Sequence, residues 1–163
     1  MTIQEWVFAI LAVTGSVAAL RLVTAKNVVH AALYLVVTLA AVGAVYLLLA
    51  AEFVAWVQVL IYVGAIVVLL LFSLMLTRAP IGREALDNQQ RGIAALVGVG
   101  ILAGLGLLIQ DAFSGQRIEL TPSFTAGIGN ELFSTYVLPF EVVSFVLLAA
   151  LVGAIVLARK DEA

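Results

Sequence analysis

The chain alternates between long apolar runs and short polar segments. A helix rises about 1.5 Å per residue, so about 20 apolar residues cross a hydrocarbon core of about 30 Å. Five runs reach this length, and they cover residues 3–20, 28–50, 53–76, 92–109 and 139–158. Lipid offers the backbone no hydrogen-bond partner, and the sequence lacks the short alternating segments of a membrane barrel. The pattern therefore predicts an all-α integral membrane protein.

A sharp turn must separate the second span from the third. Between positions 28 and 76, Glu52 is the only Asp, Glu, Lys or Arg residue. As one helix this stretch would be about 74 Å long, more than twice the thickness of the core. We therefore expect the chain to turn near residues 50–52, with Glu52 as a solvated turn residue.

The composition is that of a chain embedded in lipid. Of the 163 residues, 64% are hydrophobic and only 11% are charged, which is too few charges to cover a water-facing surface. No cysteine is present, which excludes disulfides, thiolate metal sites and cysteine nucleophiles. No basic residue precedes the first apolar run, so a cleavable signal peptide is not expected. We expect a single membrane domain over residues 1–163 that contacts lipid and no nucleic acid.

The basic residues predict the orientation of the spans. With five spans, the first loop, the third loop and the C-terminal tail share one side of the membrane. Among the eight Lys and Arg residues, only Arg117 lies on the other side, in an outside loop over residues 110–138 with a short surface helix near residues 130–137. The others are Arg21, Lys26, Arg78, Arg83, Arg91, Arg159 and Lys160. The positive-inside rule then places the N-terminus outside and the C-terminus in the cytoplasm.

The third span contains two polar side chains at membrane depth. Gln58 and Tyr62 are four residues apart, so a regular α-helix presents them on one face. One interpretation is that they pair with a neighbouring helix, at about 0.6–2 kcal/mol each. The other is that Tyr62 contacts water in a proton path. Gly64 lies close by, before a run of β-branched residues, so the helical ladder is weak there and a π-bulge can form.

Other candidate residues lie outside the third span. Gly100 and Gly104 form a GxxxG pattern in the fourth span, typical of close helix packing. Glu141 follows Pro139 at the start of the fifth span, where a helix N-terminus favours a carboxylate. His30, at the start of the second span, is interpreted as an interfacial hydrogen-bonding residue.

Three segments resemble one known family. Residues 27–33, NVVHAAL, are similar to the NPVHAAL start of the second helix in subunit J of proton-pumping NADH-quinone oxidoreductase, respiratory complex I. Residues 57–69, VQVLIYVGAIVVL, resemble that family's third-helix signature, VQVxxYxGAIxVL. Residues 138–141, LPFE, and residues 151–159 are similar to its last helix, in the form of the cyanobacterial and plastid counterpart, NAD(P)H-quinone oxidoreductase subunit 6. The likeness covers most of the chain, and one departure is Val28, where the family often has proline.

The resemblance implies a coupling role. It implies a subunit between the quinone-site subunits H and A and the antiporter-like subunit N. Its third helix would switch between a π-bulged and a regular form at Tyr62, Val63 and Gly64, with Gln58 in the same proton path. That switch would make or break a water wire toward carboxylates of the small subunit K. Glu52, Glu141 and His30 would be supporting polar residues.

The same resemblance implies where the cofactors and the membrane are. Quinone, flavin and iron-sulfur clusters are expected in other subunits, with no cofactor, metal or catalytic centre in this chain. The membrane would be the plasma (inner) membrane of a bacterium, or a thylakoid membrane.

Two further functions are weighed beside this one. A purely structural or assembly subunit would explain the glycines of the fourth span and the lack of Asp, Glu, Lys and Arg at mid-membrane depth. A small stand-alone transporter has less support, because no charged or broken-helix substrate site is visible.

Overall fold

The structure is a computed structural model that describes residues 2–77, 90–115 and 124–159. Over these ranges all regular secondary structure is helical, and five helices are long and apolar enough to cross a membrane, which confirms the predicted fold class. The orientation of the spans stays a prediction. Four of the basic residues used for it lie outside the described residues, namely Arg78, Arg83, Arg117 and Lys160.

Seven α-helices and one π-helix are present in the described ranges. The α-helices are α1 (Ile3–Thr24), α2 (Val28–Leu48), α3 (Glu52–Val57), α4 (Val67–Leu76), α5 (Arg91–Phe113), α6 (Thr125–Ser134) and α7 (Val137–Ala158). A π-helix over Gln58–Ile66, here called the π-segment, joins α3 to α4. The third span is the continuous helix Glu52–Leu76 that these three segments form.

Several predicted bounds were wrong by a few residues. α1 continues past Leu20 to Thr24, and Arg21 lies in its last turn, where a helix C-terminus favours a cation. α5 continues past Ile109 to Phe113, so the expected loop over residues 110–138 begins as helix. The surface helix is α6, Thr125–Ser134, which begins earlier than the predicted residues 130–137. Polar residues at the ends of the apolar runs predict the ends of helices, but long polar side chains extend toward water without ending a helix.

Side-chain caps fix the start of the first two helices. Thr2 Oγ1 accepts a hydrogen bond from the Glu5 N–H at 3.4 Å, and Glu5 Oε2 accepts one from the Thr2 N–H at 3.0 Å, which is a capping box. Asn27 Oδ1 accepts a hydrogen bond from the Val29 N–H at 2.9 Å. Each cap satisfies a backbone donor that has no partner within its own helix.

α2 ends in a Schellman turn, at the place where the sequence predicted a turn. The Ala51 N–H donates to the Tyr46 carbonyl and the Ala50 N–H donates to the Leu47 carbonyl, each at 3.0 Å. Ala50 has a φ of 57°, in the left-handed region that usually selects glycine at this position. Three residues, Leu49, Ala50 and Ala51, then suffice to reverse the chain before α3 begins.

Ala50→Gly is expected to raise the stability of this hairpin. A left-handed conformation costs an L-residue about 1–2 kcal/mol, and glycine escapes most of that cost, so we expect a gain of about 1 kcal/mol. Thermal unfolding of the purified chain in detergent would show a higher midpoint. Ala51→Gly is the control, because Ala51 has a φ of −98° and gains nothing from glycine. A lower midpoint for Ala50→Gly would contradict the assignment of strain.

Small residues hold the first three spans together. α2 packs against α1 on one side and against all three segments of the third span on another. The buried residues are Ala18, Ala32, Gly43, Ala55 and Val67. A Cβ placed on Gly15 would lie 3.2 Å from the Ala41 Cβ, so α1 and α2 are in close contact there. α2 is therefore the central helix of this group.

The chain divides into two compact units, Met1–Thr121 and Pro122–Ala163. In the first unit, residues 92–113 of α5 are exposed along their whole length. In the second unit, α6 packs against α7, and the rings of Phe133 and Phe140 meet edge to face with centroids 5.2 Å apart. The expectation of a single membrane domain stays a prediction.

Candidate functional site

The third span changes its helical geometry near its centre. Through the π-segment the backbone bonds reach five residues back, and the last of them joins the Val67 N–H to the Tyr62 carbonyl. This is the place where Gly64 and the β-branched residues predicted that a π-bulge can form. Such π-turns are rare in proteins and frequent at functional sites, so the π-segment is the candidate site.

Two buried residues flank the π-segment. Ala55 is 2% exposed and Val67 is 1% exposed, whereas no residue within the π-segment is buried. In a regular α-helix, positions 55 and 67 would point about 120° apart, but one extra residue in a widened turn reduces this to about 20°. Both α3 and α4 pack against α2. The π-segment thus lets one face of α2 bury both residues.

Tyr62 lies on the open side of the π-segment. Its side chain is 43% exposed, while Gln58 and Val63 are half-buried. Among the residues that the structure describes, the side chains of Gln58 and Tyr62 form no hydrogen bond. Residues four apart still point in similar directions in a π-helix, so the shared face stays a prediction, and neither side chain has a partner on it among the described residues. Tyr62 is therefore free to bond to water or to another chain.

Gly64 is exposed and has room for a small side chain. A Cβ placed on it would lie 3.6 Å from the Val59 carbonyl oxygen, an ordinary van der Waals distance. A methyl group therefore fits the π-form. A larger side chain would crowd this carbonyl, whose partner changes when a π-helix becomes regular.

Gly43, which no sequence motif indicated, lies where α2 approaches the third span. It is buried, and a Cβ there would lie 3.1 Å from Val59 Cγ2, 3.6 Å from Gln58 Cγ and 3.8 Å from the Ala55 carbonyl oxygen. An isolated glycine in an apolar span belongs to no motif. The one available signal was the unfavourable helix propensity of glycine. A glycine in a helix interior lowers helix stability by about 1 kcal/mol relative to alanine, so its presence there suggests a packing reason.

The supporting polar residues predicted from the sequence lie apart from one another in the fold. His30 is the third residue of α2 and is exposed, and Glu52 is the exposed first residue of α3. Neither side chain forms a hydrogen bond or ion pair within the described ranges. α7 begins at Val137, so Glu141 lies beyond its first turn. The interpretation of Glu141 as a residue of the helix N-terminus was therefore wrong, because the helix starts before Pro139.

The glycines of α5 have no close neighbour among the residues that the structure describes. A Cβ placed on Gly100 or on Gly104 would meet nothing within 4 Å. The close packing that the GxxxG pattern predicts is therefore not made by the described residues, and it stays a prediction. In the described ranges, no group of three or more His, Asp or Glu residues is arranged to hold a metal ion. The absence of a cofactor stays a prediction.

A family model supports the resemblance that the motifs indicated. The model for NADH-ubiquinone/plastoquinone oxidoreductase chain 6 matches residues 18–157. The match includes α2, the whole third span, α5 and nearly all of α7.

Full-length relatives agree with this match. The chain is 35% identical to the chloroplast NAD(P)H-quinone oxidoreductase subunit 6 of Mesostigma viride, over 99% of this chain and 87% of that protein. It is 39% identical to F(420)H(2) dehydrogenase subunit J of Methanosarcina mazei, over 98% of this chain and 93% of that protein. It is 36% identical to NADH-quinone oxidoreductase subunit J of Rhodobacter capsulatus, over 99% of this chain and 85% of that protein. The chain therefore belongs to the NADH-ubiquinone/plastoquinone oxidoreductase chain 6 family, as a multi-pass membrane subunit of a quinone oxidoreductase.

Proposed function

We propose that this chain couples quinone reduction to proton translocation through its third span. The observation that carries the proposal is the π-helix over Gln58–Ile66, placed at the most specific motif shared with the family. The family membership makes the chain one subunit of a larger complex, so a stand-alone transporter is no longer favoured. Coupling then requires an element with two states, and the π-segment is that element.

The geometry suggests how the two states would differ. A π-helix that becomes regular takes up one residue less per turn, which rotates the remainder of the helix by about 100°. With Ala55 held against α2, a regular helix would turn Tyr62 and Ile66 toward α2, and Val67 would leave the buried face. The Tyr62 hydroxyl would thus exchange its open position for one beside α2. A hydroxyl that moves in this way can complete or interrupt a chain of hydrogen-bonded water.

The protons must be held by residues of other chains. Residues 53–76 contain no Asp, Glu, Lys or Arg, and ionisable groups at membrane depth usually mark proton relays. The carboxylates of the small subunit K are the proposed partners of the water wire, with the quinone-site subunits H and A on one side and the antiporter-like subunit N on the other. This chain would supply the gate between them.

The redox chemistry would lie outside this chain. The Mesostigma, Methanosarcina and Rhodobacter relatives are named for different electron donors, NAD(P)H, F(420)H(2) and NADH, although each aligns with nearly the whole chain. A subunit that is shared while the donor changes is not expected to bind that donor. We therefore infer that this chain has no catalytic centre, and that quinone, flavin and iron-sulfur clusters lie in other subunits.

The distribution of basic residues supports an orientation of the chain, and the family membership supports a location in the cell. We infer that the N-terminus lies outside and the C-terminus in the cytoplasm. The described basic residues Arg21, Lys26, Arg91 and Arg159 lie at ends that five spans place on one side. The proposed location is the plasma membrane of a bacterium, with a thylakoid membrane as the alternative.

Tyr62→Phe tests the proton path. We expect the assembled complex to keep its subunits, because the Tyr62 hydroxyl bonds to no described residue of this chain. We expect proton pumping into sealed vesicles during quinone reduction to fall about five-fold, which corresponds to an increase of about 1 kcal/mol in activation free energy. Tyr46→Phe on α2 is the matched control, since it also removes one hydroxyl and should leave pumping as it was.

The same experiment separates coupling from a purely structural role. The structural alternative is favoured by one observation, the wholly exposed α5, which offers a large surface for other chains. Under that alternative, Tyr62→Phe and Tyr46→Phe would pump equally well. Native pumping by the Tyr62→Phe complex would therefore remove Tyr62 from the proposed path.

A further inference from the structure

The contact between α2 and the start of the π-segment depends on Gly43, because glycine has no side chain to keep the two helices apart. Gly43 faces Ala55, Gln58 and Val59, and a Cβ there would lie only 3.1 Å from Val59 Cγ2. That distance is tighter than nine in ten real Cβ contacts. Gly43 lies inside α2, away from any turn and without a positive φ, so its backbone conformation does not require glycine. The reason for glycine at this position is space.

We propose that Gly43 is a positioning residue that holds the third span in its π-form. This inference rests on the proposed coupling function and adds to it a residue on a different helix. A π-helix is less favourable than a regular helix, so it persists only where tertiary packing supports it. Here the packing of Gln58 and Val59 against Gly43 of α2 fixes the start of the π-segment. Val67, just beyond the end of the π-segment, is buried.

Val59 cannot easily move away from an added methyl group. Its branched side chain has one strongly preferred rotamer in a helix. A methyl group on Gly43 would require Val59 to give by a few tenths of an ångström, and its stiff side chain would pass this displacement to the backbone of the third span. That displacement weakens the contact that supports the π-form. The regular α-helix, which is the more favourable form in itself, then becomes more populated.

Gly43→Ala in the assembled complex is the test. A high-resolution cryo-EM map should show the Val67 N–H changing its partner from the Tyr62 carbonyl to the Val63 carbonyl in a larger share of particles. We expect the ratio of π-form to regular form to fall about three-fold, and the protons pumped per quinone reduced to fall with it. The double variant Gly43→Ala with Val59→Ala, which removes Cγ2, should restore both.

Gly15→Ala is the matched control. It also adds a methyl group at a close contact, 3.2 Å from the Ala41 Cβ, but between α1 and α2. It should leave the π-segment and the proton yield unchanged. If Gly43→Ala reduces assembly, recovery of assembly in the double variant supports the contact, and no recovery overturns it.

The outcomes distinguish this inference from the function on which it rests. A native π-segment in the Gly43→Ala complex would overturn the positioning role. A shifted π-segment with a native proton yield would support the positioning role and overturn the proposed coupling.

Discussion

Gly64→Val is expected to remove most proton pumping while the complex still assembles. A Cβ at this position already lies 3.6 Å from the Val59 carbonyl oxygen, and the two γ-carbons of valine would crowd that carbonyl. A β-branched residue also loses the backbone freedom that glycine gives to a segment with two forms. We expect pumping in proteoliposomes to fall about ten-fold or more, which corresponds to at least about 1.4 kcal/mol.

Gly64→Ala is the control for this substitution. Its methyl group fits the π-form at an ordinary distance, so it should keep most of the native pumping. Native pumping by Gly64→Val would remove the gating role of this segment. The same conclusion would hold if the native complex showed a regular α-helical ladder through residues 58–66 in every state.

Gly104→Leu is expected to prevent assembly of the complex. Nothing in the described chain lies within 4 Å of a Cβ at this position, and leucine is the better helix former by about 1 kcal/mol. The substitution therefore meets no clash with the described residues. A loss of co-purifying subunits, measured by native gel electrophoresis in mild detergent, must then come from a helix of another chain that packs on the Gly100 and Gly104 face.

Gly106→Leu is the matched control for the α5 face. Gly106 is equally open, but it lies two residues further on, about 200° around the helix from Gly104. We expect the Gly106→Leu complex to assemble. Native assembly of Gly104→Leu would show instead that this face of α5 contacts lipid.

The sequence predicted the spans well because each span carries its own local signal. Apolar length and the single charge at Glu52 are such signals, and the structure confirms the helices and the turn that they indicated. The exact ends were less predictable. Arg21 ends an apolar run without ending a helix, and α7 begins before Pro139 because proline fits any position of a first turn.

The candidate site was predictable only in its centre. Gly64 and its β-branched neighbours are a local signal, and the structure has a π-helix there. The contact of Gly43 with Val59 joins residues of two different helices, and neither residue type marks it in the sequence. The burial of Ala55 and Val67 on one side depends on the extra residue of a widened turn, and a pattern interpreted at the regular helical period assigns those two residues to different faces.

The hairpin at Ala50 and Ala51 determines where torsion in the third span can be released. Three residues between the two helices leave almost no slack, so the upstream end of the third span is tethered to α2 and cannot rotate freely. Any change of helical pitch between Gln58 and Ile66 must then emerge at the other end, as a twist of Met75 and Leu76. The rotation would thus occur at the membrane face opposite the hairpin. Met75 and Leu76 are exposed there and could transmit it to another protein.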